Sequence, residues 1–250
     1  GCRSLQKFHS KPSYRFTVKK MIRPHSCIYF IPLFPVLNAE VTKLFSSFNK
    51  EDSINLYSSL YLNLKELSDS ISESAASVFC FDESDKNYIL PEFSEQEKIF
   101  GNVENKGVLY KTLSEKYFAR FNNNLIIFVN TISISHIDIL KFLNLLNRED
   151  NSLLIGKSHN NKVSYIGFNN YNSELLQQIE ATDLKFKNVL QLACRFDYFI
   201  NVLNGSLFIE DINDFKILYR ELSKKESLSY CSHNIHEKFT QLFIEYKELL

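Results

Sequence analysis

After Met21 the sequence alternates short runs rich in Ile, Val, Phe and Leu with segments whose apolar residues recur at three- and four-residue steps. That alternation is the pattern of strands joined by crossover helices, and it predicts one layered α/β domain. Strands are expected at 27–33, 77–81, 98–101, 125–130, 152–157, 162–168 and 206–210, several of them apolar enough to be buried on both faces. Ile54, Tyr57, Tyr61, Leu64, Leu67 and Ile71 mark one amphipathic helix. Ile137, Leu140, Phe142, Leu143 and Leu146 mark a second, with Ser135 placed to cap it. A terminal helix over 235–250 is expected to dock on the sheet. Asn160-Asn161 lies between two strand-like runs and reads as a hairpin turn, because Asn tolerates positive φ.

At 250 residues, 44% hydrophobic and 23% charged, the chain has the composition of a globular protein with a proper core. Its 29 basic and 29 acidic residues balance, which gives no global drive toward nucleic acid. The longest apolar run, Cys27 to Leu37, is too short for a bilayer and holds two prolines, so no membrane span is expected. The five cysteines are an odd number at wide spacing, without a CxxC pair or a secretory apolar leader. They read as reduced, mostly buried thiols of a cytoplasmic protein. The 22 Phe and 13 Tyr are read as packing residues, since neither Trp nor basic interleaving accompanies them.

The first 39 residues hold seven basic side chains and no acid. Residues 1–20 read as a basic extension, optional or non-native, because the single Met stands at position 21 just before the first apolar strand. A transit-like or nucleic-acid-binding arm is the alternative. The domain proper is then 21–250.

Four segments, in order, resemble motifs of a bacterial family. Leu33 to Leu44 aligns with a loop of the form K-A-P-x-x-G-x-x-K-T-R-L, keeping Pro35, Thr42 and Leu44 and placing Lys43 at the Arg. Leu33, Asn38 and Val41 stand at its first Lys, its Gly and its second Lys. Phe128 to Ile132 aligns with G-x-D-x-P, with Asn130 at the Asp. Gly156 to Phe168 aligns without a gap with G-P-x-x-D-G-G-Y-Y-L-I-G-L, keeping Gly156, Ile166 and Gly167 but placing Asn160 at the Asp and Asn161 and Lys162 at the paired glycines. Phe208 to Phe215 aligns with D-V-D-T-P-E-D-L, with Glu210 at the second Asp and Asp214 retained. A weaker match, Gly101 to Gly107, puts Asn105 at the acid of Q-x-x-x-D-L-G.

In these segments the chain resembles the small nucleotide-diphospho-sugar transferase-like proteins of radical-SAM/selenodomain-associated type, across about residues 27–222. The resemblance implies the GT-A glycosyltransferase fold, a three-layer sandwich around a Rossmann-like mixed sheet. It implies a nucleotide-binding set of Pro35, Asn38, Thr42, Lys43, Asn130, Asn160 and Lys162. It also implies a divalent cation at the Asp of the second motif, where this chain offers a neutral amide. Packing positions are kept while charged ones are lost, so the chain reads as a degenerate, non-catalytic relative that binds a nucleotide-sugar-like ligand or a protein partner and needs no cofactor. The alternative is an active transferase with a site rebuilt around Glu210, Asp214, Lys43 and Lys162, in which Glu210 and Asp214 hold Mg2+ or Mn2+. The ordered match of the four segments also places Asn130 and Glu210 close together at one edge of the sheet.

Three smaller features are read more plainly. Cys231, His233 and His236 lack a second pair at zinc-like spacing and read as a loop entering the last helix. His159 and Lys162 read as a solvated turn or as a substitute anion site. Asp211 and Asp214 read either as helix caps or, with Glu210, as a cation site.

Overall fold

Every residue of β1 (Ser26–Ile31) is buried, as is every residue of β4 (Asn123–Phe128) beside it and of β7 (Val163–Phe168) next in order. Strands apolar on both faces need cover on both sides, and that dictates the layers. The computed structural model describes residues 25–250; the reading of 1–20 as an extension, with Met21 and Cys2, lies outside the described residues.

The remaining strands are β2 (Ala76–Asp82), β3 (Glu97–Gly101), β5 (Thr131–Ile132), β6 (Ser152–Ser158) and β8 (Phe199–Phe208), and the eight form one mixed sheet in the order β3-β2-β1-β4-β7-β6-β8-β5. β1, β2, β3 and β4 run parallel, whereas β7 is antiparallel to both β4 and β6. Alternate residues feed two cores. Ile28, Phe30, Leu125 and Ile127 face one, under α1 (Lys50–Ser70), α3 (His136–Leu146), α6 (Ile212–Leu222) and α7 (His233–Glu245). Tyr29, Ile31, Ile126 and Phe128 face the other, under α2 (Lys106–Lys116), α4 (Ser173–Glu180) and α5 (Phe186–Ala193). The result is the expected three-layer α/β sandwich.

Local chemistry explains the boundaries. Asn49 caps α1 by accepting from the Asp52 N–H at 2.8 Å. Ser135 and Asp138 form a reciprocal capping box at the start of α3, and Asp211 with Asp214 forms another at α6. Asn161 takes φ 60° in the β6–β7 turn. Gly156 is required on β6 because a side chain there would collide with the ring of Tyr165 across the ladder.

Some expectations shift. β8 begins at Phe199, well ahead of the expected 206, and carries the chain past Gly205 as a bulge at φ 112°, where the pairing with β6 slips. The terminal helix expected over 235–250 runs His233–Glu245 and gives way to a 3-10 turn at Lys247–Leu249. It packs on α1 and α6, with Tyr246 stacked on Phe48 at 3.7 Å and Phe243 against Phe215 at 5.0 Å. Among the described residues no helix is long and apolar enough to cross a membrane.

Candidate functional site

The chain runs β1, β2, β3 toward one edge and then places β4 on the other side of β1. A crevice forms at such a switch point, beyond the carboxyl ends of the strands. Here it is a cleft of about 480 Å³. Leu33 and Phe34 reach it from the end of β1, Asn130 from β4, and Phe208 and Glu210 from β8; Tyr57, Lys43 and Leu44 close one side. Lys106 with Glu104, and Lys162 with Glu180, Asp183 and Leu184, close the other.

The loop after β1 is held from below by a single carboxylate. Asp85, fully buried, accepts from the backbone N–H of Val36 at 3.0 Å, of Leu37 at 2.9 Å and of Asn38 at 2.8 Å. Burial raises the Asp85 carboxyl above its ordinary value, and the three N–H donors pull it back. Asn38 braces the same loop, donating to the Ser84 carbonyl at 3.1 Å and accepting from the Glu40 N–H at 2.9 Å. The Thr42 hydroxyl donates to the Asn38 carbonyl at 2.7 Å, and Pro35 is buried beside them. Of the residues singled out in this loop, Lys43 lines the cleft, with its ammonium 5.9 Å from the Phe34 ring centroid. Phe34 in turn meets Tyr57 edge-on at 4.8 Å, so one wall is aromatic.

At the opposite wall the polar groups bind one another. The Asn130 amide donates to the Ile209 carbonyl at 2.7 Å. Asn160 donates to the Phe208 carbonyl at 3.0 Å and to Asp214 Oδ2 at 3.2 Å. Asp214, 4% exposed, also accepts from the Glu210 and Asp211 N–H groups at 2.9 and 3.1 Å, while its Oδ1 sits 2.7 Å from His159 Nε2. The hairpin is thereby locked onto the start of α6. Glu210 and Lys162 remain in the cleft, with Lys162 Nζ 3.0 Å from Glu210 Oε1 and 3.1 Å from the Asp183 carbonyl. Asn130 and Glu210 are thus brought to the same end of the sheet.

Two features of the cleft carry no sequence signal. Glu180, at the end of α4, accepts from the Lys106 and Gly107 N–H groups at 2.7 and 3.0 Å and so caps α2 from 74 and 73 residues away. Burial lowers the Lys106 ammonium below its ordinary value, against the pull of Glu180 and Glu104. Asp183 and Leu184 are consecutive left-handed residues, at φ 50° and 55°. The weak Gly101–Gly107 match located the Lys106 loop but pointed to Asn105, which precedes α2 without a side-chain cap bond. Cys231 is buried and His236 Nε2 lies 3.2 Å from Ser227 Oγ. Among the described residues no group of three His, Cys, Asp or Glu side chains is arranged to hold a metal ion.

No protein-family model matches the chain, and no curated protein matches it. Solved structures do. One, assigned as a nucleotide-diphospho-sugar transferase from Desulfovibrio desulfuricans G20, superposes with a TM-score of 0.63 at 14% identity, over 89% of this chain and 98% of that one. A 4-diphosphocytidyl-2C-methyl-D-erythritol synthase from Anaerococcus prevotii DSM 20548 gives 0.51 at 12% identity, over 79% and 98%. A cytidylyltransferase from Leptospira borgpetersenii serovar Hardjo-bovis gives 0.50 at 12% identity, over 91% and 97%. The chain therefore has the fold shared by nucleotide-diphospho-sugar transferase-like proteins and cytidylyltransferases.

Proposed function

We propose that this chain is a transferase-type domain that binds a nucleotide-like ligand in the cleft and does not transfer it. The fold supports the ligand class, because structures of this type carry names of enzymes that handle cytidylyl and nucleotide-sugar groups. The observation that carries the loss of transfer is the Asn130 amide: at the end of β4, where the resembled family has its carboxylate, the side chain is committed to the Ile209 carbonyl. The ligand-binding set is Lys43, Lys162 and Asn130 in the cleft, with Pro35, Asn38 and Thr42 shaping the loop beneath and Asn160 fixing the hairpin. Phe34 and Tyr57 supply an aromatic wall for a base or sugar face.

A panel of CDP, UDP, GDP and their sugar conjugates, read by thermal shift and by product analysis, tests it. Saturation at 100 times Kd adds about 2.7 kcal/mol, which for a domain of this size is about 5–10 °C in Tm. Stabilisation by at least one nucleotide without turnover is expected. Metal-dependent turnover of a nucleotide sugar would instead establish the active transferase built on Glu210, Asp214, Lys43 and Lys162.

A further inference from the structure

The residues at the end of β4 and β8 do not fit a divalent ion. Asn130 offers only its neutral Oδ1 once its amide is spent on Ile209, and Asp214 already accepts from two backbone N–H groups and Asn160 and pairs with His159. Of the residues at this end of the sheet Glu210 presents its carboxylate to the cleft, and it faces an ammonium. A hard cation needs several oxygen ligands, preferably anionic ones, and they are otherwise engaged.

The cation is instead part of the chain. Lys162 Nζ is held between Glu210 Oε1 and the Asp183 carbonyl, and its side chain is only 18% exposed, so its position is fixed by the fold. An ammonium has three N–H donors; one is spent on the Asp183 carbonyl, and Glu210 is the ion-pair partner. The carbonyl it uses comes from a backbone that is itself unusual. Asp183 and Leu184 both adopt left-handed φ, which for a branched residue such as Leu costs on the order of 1 kcal/mol. The conformation is pinned on its far side by Val163 N–H donating to the Leu184 carbonyl at 2.7 Å. The strained turn therefore aims the Asp183 carbonyl at Lys162.

We propose that Lys162 is a resident cation: its ammonium takes the place of a divalent ion and binds the phosphate group of the ligand without metal, while Glu210 competes with that phosphate for the same charge. This rests on the cleft being the ligand site proposed above, and it adds that the ligand is phosphorylated and binds metal-free.

Inorganic pyrophosphate is the probe, titrated calorimetrically in EDTA and again in Mg2+ against the full chain. Wild type binds in EDTA, and Mg2+ is not required. Lys162→Ala weakens binding about tenfold or more, the value of one charge-assisted hydrogen bond of about 1.5–3 kcal/mol; Lys162→Arg retains most of it. Glu210→Gln strengthens binding several-fold, because the ammonium loses its competing carboxylate. No binding in EDTA, binding indifferent to Lys162→Ala, or loss of binding in Glu210→Gln each overturns the proposal, the last because a metal ligand would behave that way. Nucleotides that bind only with Mg2+ leave the nucleotide site standing and remove the resident cation. Pyrophosphate bound through Lys162 with no nucleotide bound does the reverse.

Discussion

Asn130 and Ile209 exchange two hydrogen bonds: the Asn130 side-chain amide donates to the Ile209 carbonyl at 2.7 Å, and the Ile209 N–H donates to the Asn130 carbonyl at 2.9 Å. The ends of β4 and β8 are thereby joined through the residue that occupies the resembled family's metal position. A carboxylate there would face the Ile209 carbonyl with no proton between them.

Asn130→Asp is therefore expected to destabilise rather than to rescue. Residue 130 is 3% exposed, and burying an unpaired acceptor in place of a satisfied donor costs about 1–3 kcal/mol. Equilibrium urea denaturation measures it. Unchanged stability together with tight Mn2+ binding would show that the site still accepts metal once its carboxylate is restored.

The Asp85 clamp makes a second prediction. Asp85→Asn keeps the shape but turns an acceptor into an N–H₂ facing the Val36 N–H, which now bonds Oδ2 at 3.0 Å. A loss of about 1–3 kcal/mol is expected, with faster hydrogen exchange at Val36, Leu37 and Asn38. Since the same loop carries Lys43 into the cleft, ligand affinity falls with it. Wild-type protection at those three amides would mean that the loop holds itself.

Gly156 sets the third. Gly156→Ala puts a methyl into the Tyr165 ring, which is stacked on Phe142 at 4.5 Å and cannot retreat freely. Overpacking of this kind costs about 1–3 kcal/mol, and the paired change Gly156→Ala with Tyr165→Leu recovers part of it. Thermal denaturation of the two variants and the wild type decides whether the ring is the obstacle.

The thiols supply the fourth. Burial pushes the Cys27 and Cys231 thiols up to about 12 and Cys80 higher still, whereas Cys194 is exposed. A thiol that does not ionise near neutral pH does not react. Native labelling by a disulfide reagent at pH 8, read by peptide mass, should mark Cys194 and spare Cys27, Cys80 and Cys231 until denaturant is added. Rapid modification of Cys80 in the native protein would contradict the buried central strands.

The strands most legible in the sequence are those buried on both faces, since Cys27–Ile31 and Leu125–Phe128 can be apolar throughout only in the middle of a sheet. The α3 cap and the β6–β7 turn are legible for a local reason: Ser135 bonds within its own first turn and Asn161 supplies the positive φ, whereas the bonds of Asn160 to Phe208 and Asp214 are long-range and leave no such trace. The first half of β8 was not, because Asn201, Asn204 and Gly205 break the apolar pattern of a half-exposed strand whose bulge needs that glycine. At the site, motif positions located Asn130, Lys162 and Glu210, but not what their side chains are bonded to. Asp85 holds the loop after β1, and Glu180 of α4 caps α2, across 47 to 74 residues, and a single carboxylate leaves no periodic trace.

The most direct measurement is anomalous diffraction from crystals soaked with CDP or UDP and Mn2+. The account predicts nucleotide density in the cleft with a phosphate oxygen within hydrogen-bond distance of Lys162 Nζ and no anomalous peak beside Glu210. A manganese peak between Glu210 and Asn130, bridging the phosphates, would contradict it.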